Sequence, residues 1–417
     1  MNKLIINGKN KLYGKVEVKS AKNALLPLIA STVLLDFEVG FLNCPRIKDV
    51  DVMLEILSAI GGKYRYEKDV LFVDCSSVYL YELPCELCKK IRASVFLLGP
   101  LISRFHKVST VKPGGGNLGE RPIQMHLDSL SKLNIEVSNG EDVYLKTDKI
   151  VGSTVELPYK SVGVTENLIM ASIFCEGETI IKNSAKEPEI VCLANFLNRL
   201  GADIKGAGSN EIRVKGVKKL RKNLTYFKPI TDRIEVGTYL LCGINTGGEI
   251  EIDGANFIHN TELIKKIHNN TCKISLESDK IYIKSCGVGK GLGFIKTAPY
   301  PAFPTDLQSP LLAYACSLRG NTVIEEGVFK SRFSIVNELK KMNALVDVKD
   351  NKAIVTGSSN LIGAKVTATD LRCGAGLIIA GLNADGVTEI DGLDVIERGY
   401  ENIDKKLLAL GAKVKKG

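Results

Sequence analysis

A chain of 417 residues exceeds what one ordinary hydrophobic core organises, so two domains of roughly 200 residues each are expected. With 45% hydrophobic and 25% charged residues it has the composition of a globular protein, and no apolar run reaches the roughly 18 residues that span a bilayer. The net charge of +9 is spread in short pairs such as Lys218-Lys219 and Lys415-Lys416, and the chain has no Trp and few aromatics, which disfavours nucleic acid and suits small polyanions.

Residues 1–8 read as a strand entering a turn, without the long apolar core of a signal peptide. Six later segments then repeat one pattern, in which an apolar helix end meets a Gly or Asn break and two short alternating strands follow. They run Ile56–Gly62, Leu130–Ile135, Leu197–Ala202, Ile264–Asn269, Leu339–Ala344 and Leu407–Ala412. Their anchors at 60, 133, 200, 267, 342 and 410 are spaced 67 to 75 residues apart, too far for a solenoid repeat. Gly and Asn are the residues that most easily take the positive φ that closes a helix. Stretches such as Lys280–Lys284 alternate with period two, as half-buried strands do. Six βαβ-type units imply an α/β fold of two domains with three units each, and a cleft between similar halves where small ligands bind. Phe227–Thr231 reads as a crossing between them. The expected domains are 21–229, and 1–20 with 230–417, the N-terminal strands completing the last unit, which otherwise ends at the C-terminus.

Eleven cysteines, an odd number without regular spacing, point to reduced thiols and a cytoplasmic setting. Cys85 and Cys88 have redox or half-zinc spacing, but no second pair and no nearby His support a metal, and the simpler reading is two ordinary thiols. No cofactor is implied.

Eight short stretches, in order along the whole chain, carry a resemblance. They are Ala21-Lys22-Asn23-Ala24, Arg92-Ala93-Ser94, Gly119-Glu120-Arg121-Pro122, Ser161-Val162-Gly163, Asp232-Arg233-Ile234-Glu235, Phe303-Pro304-Thr305-Asp306, Ala368-Thr369-Asp370-Leu371-Arg372 and Arg398-Gly399-Tyr400-Glu401. The sequence resembles the UDP-N-acetylglucosamine 1-carboxyvinyltransferases of the EPSP synthase superfamily. The resemblance implies two inside-out α/β barrel-like domains of three repeats each, with the active site in the interdomain cleft. It implies transfer of the enolpyruvyl group of phosphoenolpyruvate to the 3-hydroxyl of UDP-N-acetylglucosamine, the first committed step of peptidoglycan synthesis. No membrane or nucleic-acid partner follows, and a regulatory protein partner stays open.

The residue types fit such substrates, because the UDP diphosphate and the phosphate and carboxylate of phosphoenolpyruvate need fixed cations, and Arg binds them with paired hydrogen bonds. By resemblance, Lys22, Arg121 and Arg398 hold phosphoenolpyruvate, with Arg332 and Arg372 around it. Asn23 and Asp306 meet the sugar, and Asp306 is the base for its 3-hydroxyl. Arg92 and the stretch Arg121, Pro122, Ile123, Gln124 and Met125 bind the nucleotide sugar; Gln124 stands where an acidic residue is common. Ser161, Val162 and Gly163 face the diphosphate, Val328 touches the sugar through its backbone, and Asp370 belongs to the Arg372 stretch.

One position departs from the pattern. In the glycine-rich run Pro113–Arg121, Gly116 stands where the family carries a cysteine, or in some members an aspartate, that protonates the methylene carbon and that, as cysteine, is alkylated by fosfomycin. Glycine can do neither, and a lost general acid costs about 10²–10⁴ in rate. Three readings remain: a transferase drawing its proton from water, Lys22 or another group; a non-catalytic paralog that binds the nucleotide sugar as a sensor; and 3-phosphoshikimate carboxyvinyltransferase on the same fold. Cys373, next to Arg372, is the only cysteine in a matched stretch, and its simplest reading is a core residue.

Overall fold

The structure, a computed structural model, describes residues 2–114, 123–140, 142–268, 270–329, 332–357 and 360–417. These residues divide into two compact units, one of 20–230 and one of 2–19 with 231–417. Each has its own apolar core.

Among the described residues the strands form six sheets, three in each unit. The repeat is longer than the expected βαβ unit. In one instance a strand (Thr154–Glu156) leads to an inner helix (Val162–Ala171), a central strand (Glu178–Lys182), an outer helix (Pro188–Arg199) and two further strands (Asp203–Lys205, Glu211–Lys215). The first two strands pair in parallel, with Ile181 opposite Val155, and the last joins antiparallel, with Ile181 opposite Ile212. The extra crossover was hidden because inner helices are apolar all round and carry no amphipathic stripe. In the second repeat, which lies in the unit of 20–230, the leading strand shrinks to a single parallel bridge between Glu82 and Ser109.

The helix ends behave as the Gly/Asn breaks require. Gly61, Asn134, Gly201, Asn343 and Gly411 take positive φ just past their helices. The fourth differs: helix Thr261–Ile267 stops at His268 in extended conformation, and Asn269 lies outside the described residues. The N-terminal strands serve two sheets instead of one. Lys3–Asn7 pairs with Lys413–Lys416 and Val387–Asp391, completing the sixth repeat, while Tyr13–Glu17 joins Glu249–Asp253 in the fourth.

Both units are built inside out. Helices Arg233–Asn245 and Gln308–Ala315 are buried along their whole length, and Leu371–Asn383 is buried from Arg372 to Leu382. Strands such as Asp142–Lys146 alternate exposed and buried residues and turn one face outward. Inner helices run side by side in the same direction: Asp306 meets Arg372 at their starts, and Asn245 Nδ2 donates to the Ile379 carbonyl further along. Gly376 permits the approach, since a Cβ there would lie 2.8 Å from the Ser309 carbonyl oxygen. The consequence for function is local. The helix N-termini gather at one end of each such group, concentrating unpaired N–H groups and positive dipole ends.

Candidate active site

The sequence-predicted residues fall largely at those N-termini. In the unit of 231–417, Asp306 lies in the short 3₁₀ turn Thr305–Leu307 that opens helix Gln308–Ala315. Its carboxylate bridges two guanidiniums. Arg332 Nη2 donates to Oδ1 at 2.8 Å, and Arg372 donates to Oδ2 from Nη2 at 2.8 Å and Nε at 3.2 Å. The arginine side chains are only 3% and 5% exposed, while that of Asp306 is 25% exposed, so the carboxylate is the wet side of the cluster.

Burial alone would raise the pKa of Asp306, but the Arg372 and Arg332 charges outweigh it and hold the carboxyl well below the usual range. Burial likewise opposes the Arg372 charge, and Asp306 more than offsets it. The arginines are fixed from behind. Arg332 Nη1 donates to Thr305 Oγ1 at 2.8 Å, and that hydroxyl donates to Glu326. Arg372 Nη1 donates to the Tyr400 hydroxyl at 3.2 Å, which lies 2.9 Å from Thr238 Oγ1. Asp370 caps helix Leu371–Asn383, accepting from the N–H groups of Arg372 and Cys373 at 2.8 and 3.0 Å. Its carboxylate therefore positions the start of the Arg372 helix. Val328 is exposed and its N–H donates to Glu326. Arg398 is half-buried in the turn after helix Leu393–Ile396, two residues before Tyr400.

In the unit of 20–230, Lys22 and Asn23 open helix Lys22–Ser31 and both are half-buried. The Lys22 ammonium lies 3.1 Å from Asp49 Oδ2. Arg92 starts the 3₁₀ helix Arg92–Leu97, and burial lowers its pKa. Ser161 caps helix Val162–Ala171, with Oγ 3.4 Å from the Val164 nitrogen, and Gly163 lies in its first turn. Ile123 is buried, Met125 is half-buried, and Gln124 is exposed with its amide engaged by Asp128 and Asn139. Gly116, Arg121 and Pro122 lie outside the described residues.

Sequence reasoning passes over Thr305, Glu326, Tyr400 and Asp49, which hold the cations, and over His126 and Asn167 beside Arg92 and Gly163. Thr305 and Tyr400 lie inside quoted stretches, and His126 directly follows Met125, so adjacency is the signal available for these three. Cys373 is fully buried and its thiol is pushed up to about 11, chiefly by burial, which leaves it unreactive near neutral pH. Cys85 is exposed and Cys88 buried, and all eleven cysteines are free. Among the described residues no group of His, Cys, Asp and Glu could hold a metal, and no helix is long and apolar enough to cross a membrane.

Within the unit of 231–417, two guanidiniums flank one carboxylate beside a helix start, an arrangement suited to phosphorylated acids. The model of the EPSP synthase (3-phosphoshikimate 1-carboxyvinyltransferase) family matches residues 6–407. The chain belongs to the EPSP synthase family. Among the members of that family it resembles, the UDP-N-acetylglucosamine 1-carboxyvinyltransferase 2 proteins of Caldanaerobacter subterraneus subsp. tengcongensis and Clostridium tetani are each 41% identical to it, over 99% of both chains. The family fold is also seen in solved structures. The enolpyruvyl transferase NikO from Streptomyces tendae superposes with a TM-score of 0.89 at 24% identity, covering 100% of this chain and 98% of that one. EPSP synthase from Acinetobacter baumannii gives 0.79 at 17% identity, with both chains covered completely.

Proposed function

We propose that the chain transfers the enolpyruvyl group of phosphoenolpyruvate to the 3-hydroxyl of UDP-N-acetylglucosamine and releases phosphate, committing the sugar to peptidoglycan. The observation that carries this reading is the 41% identity to UDP-N-acetylglucosamine 1-carboxyvinyltransferases along essentially the full length of both chains. A cytoplasmic location follows from the same reading.

The chemistry requires a base for the hydroxyl, cations for the phosphate and carboxylate, and a proton for the methylene carbon. Asp306 is proposed as the base, and Lys22, Arg121, Arg332, Arg372 and Arg398 as the cations. Held between two guanidiniums, Asp306 is a weak base. An anionic substrate that takes over part of the arginine charge returns basicity to it, so binding of phosphoenolpyruvate prepares the base. Asn23 and the Val328 backbone are proposed to face the sugar. Arg92, Pro122, Ile123, Gln124 and Met125 are proposed for the nucleotide, and Ser161, Val162 and Gly163 for the diphosphate. Asp370 contributes by fixing Arg372.

Gly116 favours a second reading, in which the chain binds the nucleotide sugar without turning it over, because position 116 carries no proton donor. Binding is tested by thermal unfolding: saturating UDP-N-acetylglucosamine is expected to raise the melting temperature by linkage. A shift with shikimate 3-phosphate and none with the nucleotide sugar would overturn both readings.

A further inference from the structure

Cys85 and Cys88 have no part in the reaction described above. They are the first and last residues of a one-turn helix that follows Pro84. The Cys88 N–H donates to the Pro84 carbonyl at 3.0 Å, and the Lys89 N–H donates to the Cys85 carbonyl at 3.1 Å. Residues three apart on such a turn share a face, with Cβ atoms about 5–6 Å apart. A disulfide needs about 3.5–4.5 Å between them, so tightening the turn by about 1–2 Å joins the two sulfurs.

The two thiols are unlike. Cys85 is exposed to reagents in solvent, whereas Cys88 is fully buried. Burial pushes the Cys88 thiol up, the Thr110 and Ser94 hydroxyls draw it back, and charge on Cys85 raises it, so the two sulfurs lie within each other's field. An exposed cysteine with a buried one a turn later suits thiol–disulfide exchange, in which the outer sulfur attacks and the inner one resolves.

The same turn holds the start of the glycine-rich run. The Cys88 carbonyl accepts from the Gly114 N–H and from Ser94 Oγ, each at 3.2 Å. A Cβ at Gly114 would lie 1.7 Å from the Lys89 carbonyl oxygen, so backbone rests directly on backbone there. Movement of the Cys85–Cys88 turn is therefore felt at Gly114, inside the run Pro113–Arg121.

We propose that Cys85 and Cys88 form a redox modification site that reacts with low-molecular-weight disulfides and, once oxidised, loosens the hold of Cys88 on Gly114. The Cys85 thiolate attacks one sulfur of the reagent, whose S–S bond breaks as the first thiolate leaves. The Cys88 thiolate then attacks the Cys85 sulfur of the mixed disulfide and expels the second. The protons shed by the two cysteines end on the two released thiols, and the reagent takes up the two electrons that the protein pair gives. In a reducing compartment such a disulfide is transient, as a sensor requires.

Incubation with oxidised glutathione followed by peptide-mapping mass spectrometry tests the site, and the mapping keeps Cys286, the other exposed cysteine, apart. The parent protein is expected to gain a Cys85–Cys88 disulfide that dithiothreitol reverses. Cys88→Ala, which keeps the outer thiol, should instead hold one glutathione on Cys85, and Cys85→Ser should take none on Cys88. Hydrogen exchange reads the link to the run. The Gly114 amide should exchange about three- to tenfold faster in the oxidised parent than in the reduced one, with no change in Cys85→Ser given the same treatment. No reaction at Cys85, or a stable glutathione adduct there in the parent, would overturn the site. A disulfide that leaves exchange at Gly114 unchanged would overturn its link to the glycine-rich run.

Discussion

Replacing Asp306 by Asn tests stability and chemistry at one atom. The substitution keeps one acceptor oxygen but removes the charge that two nearly buried guanidiniums share through three hydrogen bonds of 2.8 to 3.2 Å. Breaking a buried ion pair by removing one partner costs about 3–5 kcal/mol. Asp306 is 25% exposed, and Arg332 and Arg372 keep Thr305 and Tyr400 as partners, so about 2–3 kcal/mol is expected. For a chain of 417 residues that lowers the melting temperature by about 2–4 °C. Inorganic phosphate or phosphoenolpyruvate should restore part of the loss by occupying the arginines. Turnover should fall by about 10²–10⁴ while nucleotide-sugar affinity changes little, because the amide cannot take the hydroxyl proton. Calorimetric melting with and without phosphate, alongside a phosphate-release assay, measures all three. A variant that melts with the parent and turns over at its rate would refute both the electrostatic account of the cluster and the assignment of the base.

Gly116→Cys should raise turnover by up to about 10²–10⁴ and create covalent fosfomycin sensitivity together, since one sulfur serves both, whereas the parent should show no adduct by intact-mass spectrometry. An adduct on the parent would contradict this and reveal another reactive thiol, which burial argues is not Cys373. Glu166 offers a pH test. It is fully buried, neither carboxyl oxygen has a hydrogen-bond partner among the described residues, and burial, with Glu189 and Glu187 adding to it, raises its pKa well above the usual carboxylate range. Stability from such a group is complete below about pH 4.3 and is lost as pH rises toward the folded-state value. Glu166→Gln should therefore gain stability relative to the parent between about pH 5 and 8 in denaturant titrations, and a constant difference across that range would contradict the reasoning.

The parts of the fold legible in the sequence were those set by local chemistry. Gly61, Asn134, Gly201, Asn343 and Gly411 marked helix ends because few other residues take positive φ cheaply, and the alternating strands after them announced their own exposed faces. The inner helices were harder to place. A segment such as Ile234–Asn245 is buried on every side, so it has no period for a sequence reading to detect, and the repeat looked one crossover shorter than it is. The same divide runs through the site. Lys22, Asp306, Arg332 and Arg372 stood out by resemblance, but the Lys22 partner Asp49 and the Arg372 partner Tyr400 lie 27 and 28 residues away along the chain, and Asp306 and Arg332 are 26 apart. Only the packing of adjacent helix starts makes them neighbours. His126 and Asn167 are separated by 41 residues, and no spacing rule links an imidazole on one helix to an amide on another.

Enolpyruvyl transfer by a chain with glycine at position 116 can be measured outright. Purified protein incubated with UDP-N-acetylglucosamine and phosphoenolpyruvate, with phosphate release followed in time and the nucleotide product weighed by mass spectrometry, tests it most directly. Stoichiometric phosphate and enolpyruvyl nucleotide sugar are expected, formed slowly compared with the Gly116→Cys variant. Binding of the nucleotide sugar with no phosphate and no product from either protein would contradict it and leave the non-catalytic reading standing.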